Sequence, residues 1–548
     1  MSLQEQAIPD IPAETRRVAR AIFPKGNIDM KMRDALGTLY RDEDFTDLFP
    51  PDGQPALAPW RLALVGLMQF AENLTDRQAA DAVRSRIDWK YALSLELTDP
   101  GFDFSVLSEF RDRLLSGKAE TRLLDVMLTT FKARGWLKAG GRQRTDATYV
   151  KAAIHRLNRV ELVAAVFQEA LEALAIAAPD WLRAHTPADW LVRYSPKLND
   201  YRLPRKETEQ VHLAQQIGRA GQQVLQWVEG VDAPGDLRHL EALVNLRLVW
   251  EQQYDVNSTP PRWLDDKELR DSADREASPH DTEARFQVKN DASWVGYQAH
   301  FTETCDADSP HFIIHVETTP ATTSDYNVLP DIHADLKQQA MLPTEHLVDG
   351  GYSSSHLINN SQVDFGVTVI CPARPDASWQ AHMPGAYTLD KFQVDWTAHT
   401  VTCPQGVHSQ VWRFRPAPKS LHKTVAVVIF AAADCAACPA RALGTRGKGP
   451  RSLTLLPEPE FVALQQARQR EKTPEFAVLY AKRSGIEGTI SQVTQRTDAH
   501  QARYIGLAKT HLQQVFSATA VNLATAIHWL NEIPRAQTRR SRFARLPA

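Results

Sequence analysis

One β-prone run, Arg142 to Val150, stands alone between two long helical stretches. A strand presents unpaired N–H and C=O groups on both edges, so this run needs partners from elsewhere in the chain. The next segments with a two-residue hydrophobic period are Trp294–Thr302 (WVGYQAHFT) and His311–Val316 (HFIIHV), which read as paired strands. The chain therefore mixes helical stretches with separated β-prone segments.

The surrounding pattern fits that plan. Residues 1–140 read as helical, with an apolar helix at Trp60–Phe70 and a second helix running from Leu74 through RQAADAVRSRIDWKYALSL, capped by Thr75 or Asp76. Such a pair is compatible with a helix-turn-helix or with two packed helices. From Val160 an apolar stripe (Val163, Phe167, Ala170, Leu171, Leu174) begins a helical region that continues, broken at Pro179 and Pro204, to Trp250. The polar stretch DDKELRDSADREASPHD then reads as an exposed connection. A helix is expected over Asp331–Ala340, followed by a short strand that ends in Asp349-Gly350-Gly351. Residues 373–454 are β-prone and rich in loops. A final helical block starts at Thr473-Pro474-Glu475, an N-cap, a proline at N1 and an acid in the first turn.

Charge needs dividing before it can be used. The 548 residues hold 63 Lys+Arg and 66 Asp+Glu, a formal charge of −3. Residues 480–548 contain ten Lys/Arg against Glu487, Asp498 and Glu532, so this stretch carries +7 and the remainder −10. A basic terminal block suits a polyanionic partner. Five cysteines in so long a chain exclude a disulfide scaffold and fit a reducing compartment. The longest strongly apolar run, Val425–Ala433, is far short of the ~20 residues that span a bilayer. The polar start resembles no secretion signal, and the expectation is a soluble intracellular protein. No G-x4-GK[ST] loop occurs, so a nucleotide cofactor is not expected.

Three acids occupy informative positions. Asp146 lies within the lone β-prone run, Asp349 at a strand end, and Glu487 on a helix. An acid in a strand needs compensation, which a divalent ion supplies. Tyr480, Arg483 and Glu487 share a helical face by their spacing. Gly485 and Gly488 weaken that helix and suggest that something approaches its backbone closely.

Thr145-Asp146-Ala147-Thr148-Tyr149-Val150, Leu157-Asn158-Arg159, Ser293-Trp294-Val295-Gly296-Tyr297, Leu347-Val348-Asp349-Gly350-Gly351-Tyr352, the Tyr480–Gln492 segment and Arg503–Lys509 together resemble the DDE transposases of bacterial insertion sequences. The resemblance runs nearly end to end. It implies a ribonuclease-H-like mixed sheet with flanking helices. Its parts would be a helical N-terminal DNA-binding domain (1–140), core segments at 141–157, 285–372 and 455–530, a helical insertion (158–284), a β-rich insertion (373–454) and a basic tail (531–548). It implies that Asp146, Asp349 and Glu487 are catalytic and bind Mg²⁺, with Mn²⁺ as the alternative ion. Tyr480 and Arg483 would contact DNA, with Arg496, Arg503 and Lys509 adding phosphate contacts. The partner would be double-stranded DNA, element ends and target, handled by a homodimer in the cytoplasm at the nucleoid. Two other readings are a non-catalytic DNA-binding derivative and a metal-dependent nuclease without strand transfer. The chain departs from the family at Thr494, where a Lys is usual, and at Gly444, where a further Cys often stands.

Cys403, Cys435 and Cys438 have the C-x2-C spacing of a structural zinc site but supply only three thiols unless His408 completes the set, so unmetallated thiols are expected. Cys305 and Cys371 read as buried small residues. His155, His300 and His315 lack metal-binding motif neighbours and read as ordinary histidines. Trp294 and Tyr297 read as core.

Overall fold

A computed structural model of the chain describes residues 2–154, 157–195, 203–204, 206–271, 275–289, 292–417 and 424–534. His155 and the tail arginines Arg535, Arg539, Arg540, Arg542 and Arg545 lie outside the described residues.

The lone strand, β1 (Arg142–Lys151), pairs with strands from distant segments of the chain. β2 (Arg285–Lys289) and β3 (Ala292–Thr304) form a hairpin, and β3 continues antiparallel alongside β1, with Asp146 opposite Phe301. β4 (Ile313–Pro320) runs antiparallel on the other edge of β3. β5 (Glu345–Leu347) lies parallel to β1, and β6 (Thr368–Ile370) lies parallel to β5. The order β4-β3-β1-β5-β6, antiparallel on one side and parallel on the other, is a ribonuclease-H-like sheet.

Helices cover both faces. An apolar helix near the start, α1 (Pro59–Ala71), is buried along almost its whole length. α2 (Asp325–Gln338) and α3 (Ser355–Phe365) belong to the crossovers after β4 and β5. α4 (Gly485–Thr497) and α5 (Leu507–Leu530) close the core. Phe70 of α1 stacks on Phe516 of α5 with ring centroids 5.0 Å apart. The main apolar cluster draws on residues from Met32 to Ile527 outside the two insertions, so the N-terminal helices, the sheet and α5 share one core. The two insertions differ in this respect. Residues between Val160 and Trp263 enclose a core of their own, and a smaller one lies between Phe392 and Leu455.

Four sequence expectations need correction. The helix after Thr75 breaks at Arg86, whose extended backbone separates Asp76–Ser85 from Ile87–Ala92. α2 begins at Asp325, six residues before the expected start, and carries Pro330 as its sixth residue, which forgoes one intrahelical bond. The last helical block begins at Glu458, ahead of the Thr473 cap. The connection before β2 is not exposed throughout: Glu276, Ser278 and Asp281 are buried, and Asp281 Oδ1 accepts the Tyr297 hydroxyl at 2.6 Å.

Candidate active site

β1 alternates its side chains, and Arg144 and Asp146 share one face. Arg144 is buried and ion-paired with Glu303 of β3, at 6% and 0% side-chain exposure. Its guanidinium also donates to the Lys482 carbonyl, and Thr489 Oγ1 donates to Glu303 Oε2 at 2.7 Å. This buried knot locks the start of α4 onto the sheet. Gly485 makes that approach feasible, because a Cβ there would stand 2.0 Å from Arg144 Nη1. No atom lies within 4 Å of the corresponding point on Gly488, so the close-approach argument holds for the first glycine alone.

With α4 fixed, Arg483 spans two acids. Nη1 donates to Asp146 Oδ2 at 2.9 Å and Nη2 to Glu487 Oε1 at 2.9 Å. Asp146 is largely buried, whereas Glu487 remains 62% exposed. Asp349 follows β5 and caps a short turn, its Oδ1 accepting the Gly351 N–H at 2.7 Å. Tyr480 stacks on Phe476 with an interplanar angle of 7°.

A fourth acid stands with these three, and sequence reasoning missed it. Asp325, the first residue of α2, is nearly buried and pairs with Lys289 Nζ at 3.3 Å. Its Oδ1 is buried without a hydrogen-bond partner. One point beside the Gly351 Cα lies 2.7 Å from Asp325 Oδ2 and 3.0 Å from Asp349 Oδ1, so the two carboxylates flank the same spot. The available signal was an acid opening a helix directly after a core strand.

Burial is the main force pushing the Asp146 carboxyl above the usual range; Arg483 opposes it and the charge of Asp349 adds to it. Asp325 is pushed up in the same way, by burial first, with Lys289 opposing and Asp349 and Asp146 adding to the rise. Crowded, dehydrated carboxylates with an orphaned oxygen form a hard-oxygen donor set that suits Mg²⁺ or Mn²⁺. Their oxygens are not drawn into a ready cage, since Arg483 spans Asp146 and Glu487.

Beside the acids, an open groove of about 540 Å³ runs between β1 and α4, lined by Asp146, Thr148, Tyr149, Glu487, Thr494 and His500 among others. Thr494, at the family's usual Lys position, bonds back to its own helix through the Ile490 carbonyl. Neither Arg496 nor Lys509 lines this groove. Arg496 is exposed, and Lys509 pairs with Asp112 at 3.4 Å. Arg503 is not free for phosphate either: it donates to the Leu74 carbonyl and to Asn73 and lies over the Phe70 ring.

Two family comparisons match. The Transposase DDE domain family matches residues 402–527, which include Glu487, and the Transposase domain (DUF772) family matches residues 17–113. The two matches indicate a DDE transposase of an insertion sequence. It is thus an enzyme that acts on DNA, of a class that uses divalent metal. Asp146 and Asp349 fall outside both matched stretches of this transposase. No curated protein and no solved structure matches it. No described helix is long and apolar enough to cross a membrane.

Elsewhere in the transposase, Cys403, Cys435 and Cys438 line one small cavity together with Gly444. His408 does not line it and bonds Thr402 Oγ1 at 3.0 Å. Burial pushes the Cys305 and Cys371 thiols up to about 11 and about 12. Trp294 and Tyr297 are core, as expected.

Proposed function

We propose that this transposase cuts DNA at the ends of its insertion sequence and joins the freed strands to a target, using divalent metal held by Asp146, Asp349 and Glu487, with Asp325 beside them. The observation that carries the reading is Arg483 bridging Asp146 on β1 to Glu487 on α4, in a pocket where burial and the charge of Asp349 raise the Asp146 carboxyl. Bound Mg²⁺ or Mn²⁺ would supply activation of the attacking oxygen and stabilisation of the leaving 3′-oxygen.

The residues of the chain divide the remaining work. Asp146, Asp349 and Glu487 contribute oxygen ligands, and Asp325 adds a further carboxylate whose Oδ1 has no other use. With the acids holding metal, Arg483 would be free to hold a phosphate oxygen pair, a task suited to its planar fork. Tyr480, stacked on Phe476, borders the same site and can pack against the sugar-phosphate chain. Duplex DNA would follow the groove past Tyr149 and His500, with the N-terminal helices binding element ends and the basic C-terminal stretch adding phosphate contacts. Two ends must be processed together, so a homodimer on DNA is part of the proposal.

The test is incubation of purified protein with end-containing DNA and Mg²⁺. Joined products support the proposal. Nicking without joining indicates a nuclease, and Mg²⁺-independent binding without nicking indicates a non-catalytic DNA-binding protein.

A further inference from the structure

A second cluster of metal-ligating side chains lies apart from these acids. In β4, His315 and Glu317 are two residues apart and share a face. His315 sits opposite Thr302, which sits opposite Thr145, so this row points away from the Asp146 face. α2 passes over it and contributes Asp335. One ligand atom from each of His315, Glu317 and Asp335 lies within 4.8 Å of the other two.

The His315 ring is 4% exposed, with Nε2 3.1 Å from Asp335 Oδ2 and Nδ1 buried without a partner. A buried imidazole using one nitrogen on an acid and leaving the other orphaned is poorly satisfied for a structural histidine. The surroundings are acidic. Burial first, and then Asp335 and Asp331, raise the half-buried Glu317 carboxyl against His315, and Asp125 interacts with His315 from the helix Arg122–Ala133. His511 of α5 adds no cation, since burial pushes it down to about 4, and Arg122 and Lys132 are the bases that act on Asp125.

We infer that His315, Glu317 and Asp335 form a binding site for a divalent transition-metal ion such as Zn²⁺ or Co²⁺. One imidazole and two carboxylates suit these ions, whereas Mg²⁺ and Ca²⁺ take oxygen ligands alone. Ligand atoms about 3.3 Å apart around such an ion require the three side chains to draw in by modest rotations. The ion would pin α2 to the sheet edge, and α2 opens with Asp325, so the site would set the position of the fourth acid.

The experiment is equilibrium dialysis of the metal-stripped full-length protein against Co²⁺, read by bound metal and by the visible spectrum. Relative to the parent, Asp335→Asn should lose one equivalent of Co²⁺ with no change in any thiolate charge-transfer band, which separates this site from the Cys403 cluster. Asp335→His should retain that equivalent, and Asp349→Asn should keep it as well, which separates it from the Asp146 pocket. Asp335 is 45% exposed, so both substitutions are tolerable to the fold. Equal uptake by the parent and Asp335→Asn, or loss of the equivalent in Asp349→Asn instead, would show that His315 and Asp335 form a hydrogen-bonded pair only.

Discussion

Arg483 holds two carboxylates at once and gives the pocket its resting charge balance. Replacement by Lys keeps the charge but loses the fork, since an ammonium cannot serve Asp146 and Glu487 with parallel donors. Arg483→Lys should lower strand cleavage by about ten- to a hundredfold at saturating Mg²⁺, from the loss of charge-assisted hydrogen bonds. The carboxyls of Asp146 and Asp325 also predict a pH dependence. Their folded pKa values lie above the ordinary value, so between the two values the folded state holds more protons than the unfolded state. Their contribution to stability is therefore complete at low pH and lost as pH rises through the folded pKa. Divalent ions need the ionised forms, so metal affinity should rise over that same window. Thermal melts from pH 4 to 7 with and without Mg²⁺ should show a metal-induced shift that grows with pH. The shift should be smaller in Asp325→Asn, and an undiminished shift there would remove Asp325 from the metal site.

At the scale of elements, the placement of α4 rests on the buried Arg144–Glu303 pair and on the space Gly485 leaves for it. Arg144→Met strands a buried carboxylate and should cost about 3–5 kcal/mol in urea melts. Gly485→Ala would drive a methyl into the Arg144 guanidinium and should lower both stability and cleavage by displacing Glu487. Much of this framework was legible in the sequence. The lone β-prone run, the later pair of strands and the strand ending at Asp349 follow from hydrophobic period and turn residues, whereas their union in one sheet was implied by the family resemblance. Glu303 was not, because nothing in a β-prone run marks an acid that pairs across the sheet with a residue of another segment. Asp325 was hidden for a related reason: the helix was expected from Asp331, so the acid at its true first turn fell in a presumed loop. Arg503 was misread because charge alone cannot show that a guanidinium is spent on Leu74, Asn73 and the Phe70 ring.

Across the whole molecule, the N-terminal helices and α5 share an apolar core with the sheet, so the catalytic part is not separable by cutting the chain near residue 140. A fragment of residues 141–548 would bare Phe516 and its neighbours on α5; it should be insoluble or fail to unfold cooperatively, as judged by circular dichroism. The residues from Val160 to Trp263, with their own core, form a separate unit by the same criterion. This arrangement packs the helices matched by the N-terminal transposase family into the same core as the helix that follows Glu487. The central claim is that Asp349 is a metal ligand for DNA cleavage, and a ligand swap tests it most directly. Asp349→Cys should cut end-containing DNA at least about a hundredfold more slowly than the parent in Mg²⁺ and regain activity in Mn²⁺, which accepts a thiolate more readily. Cleavage by Asp349→Cys at the parent rate in Mg²⁺ would contradict the account.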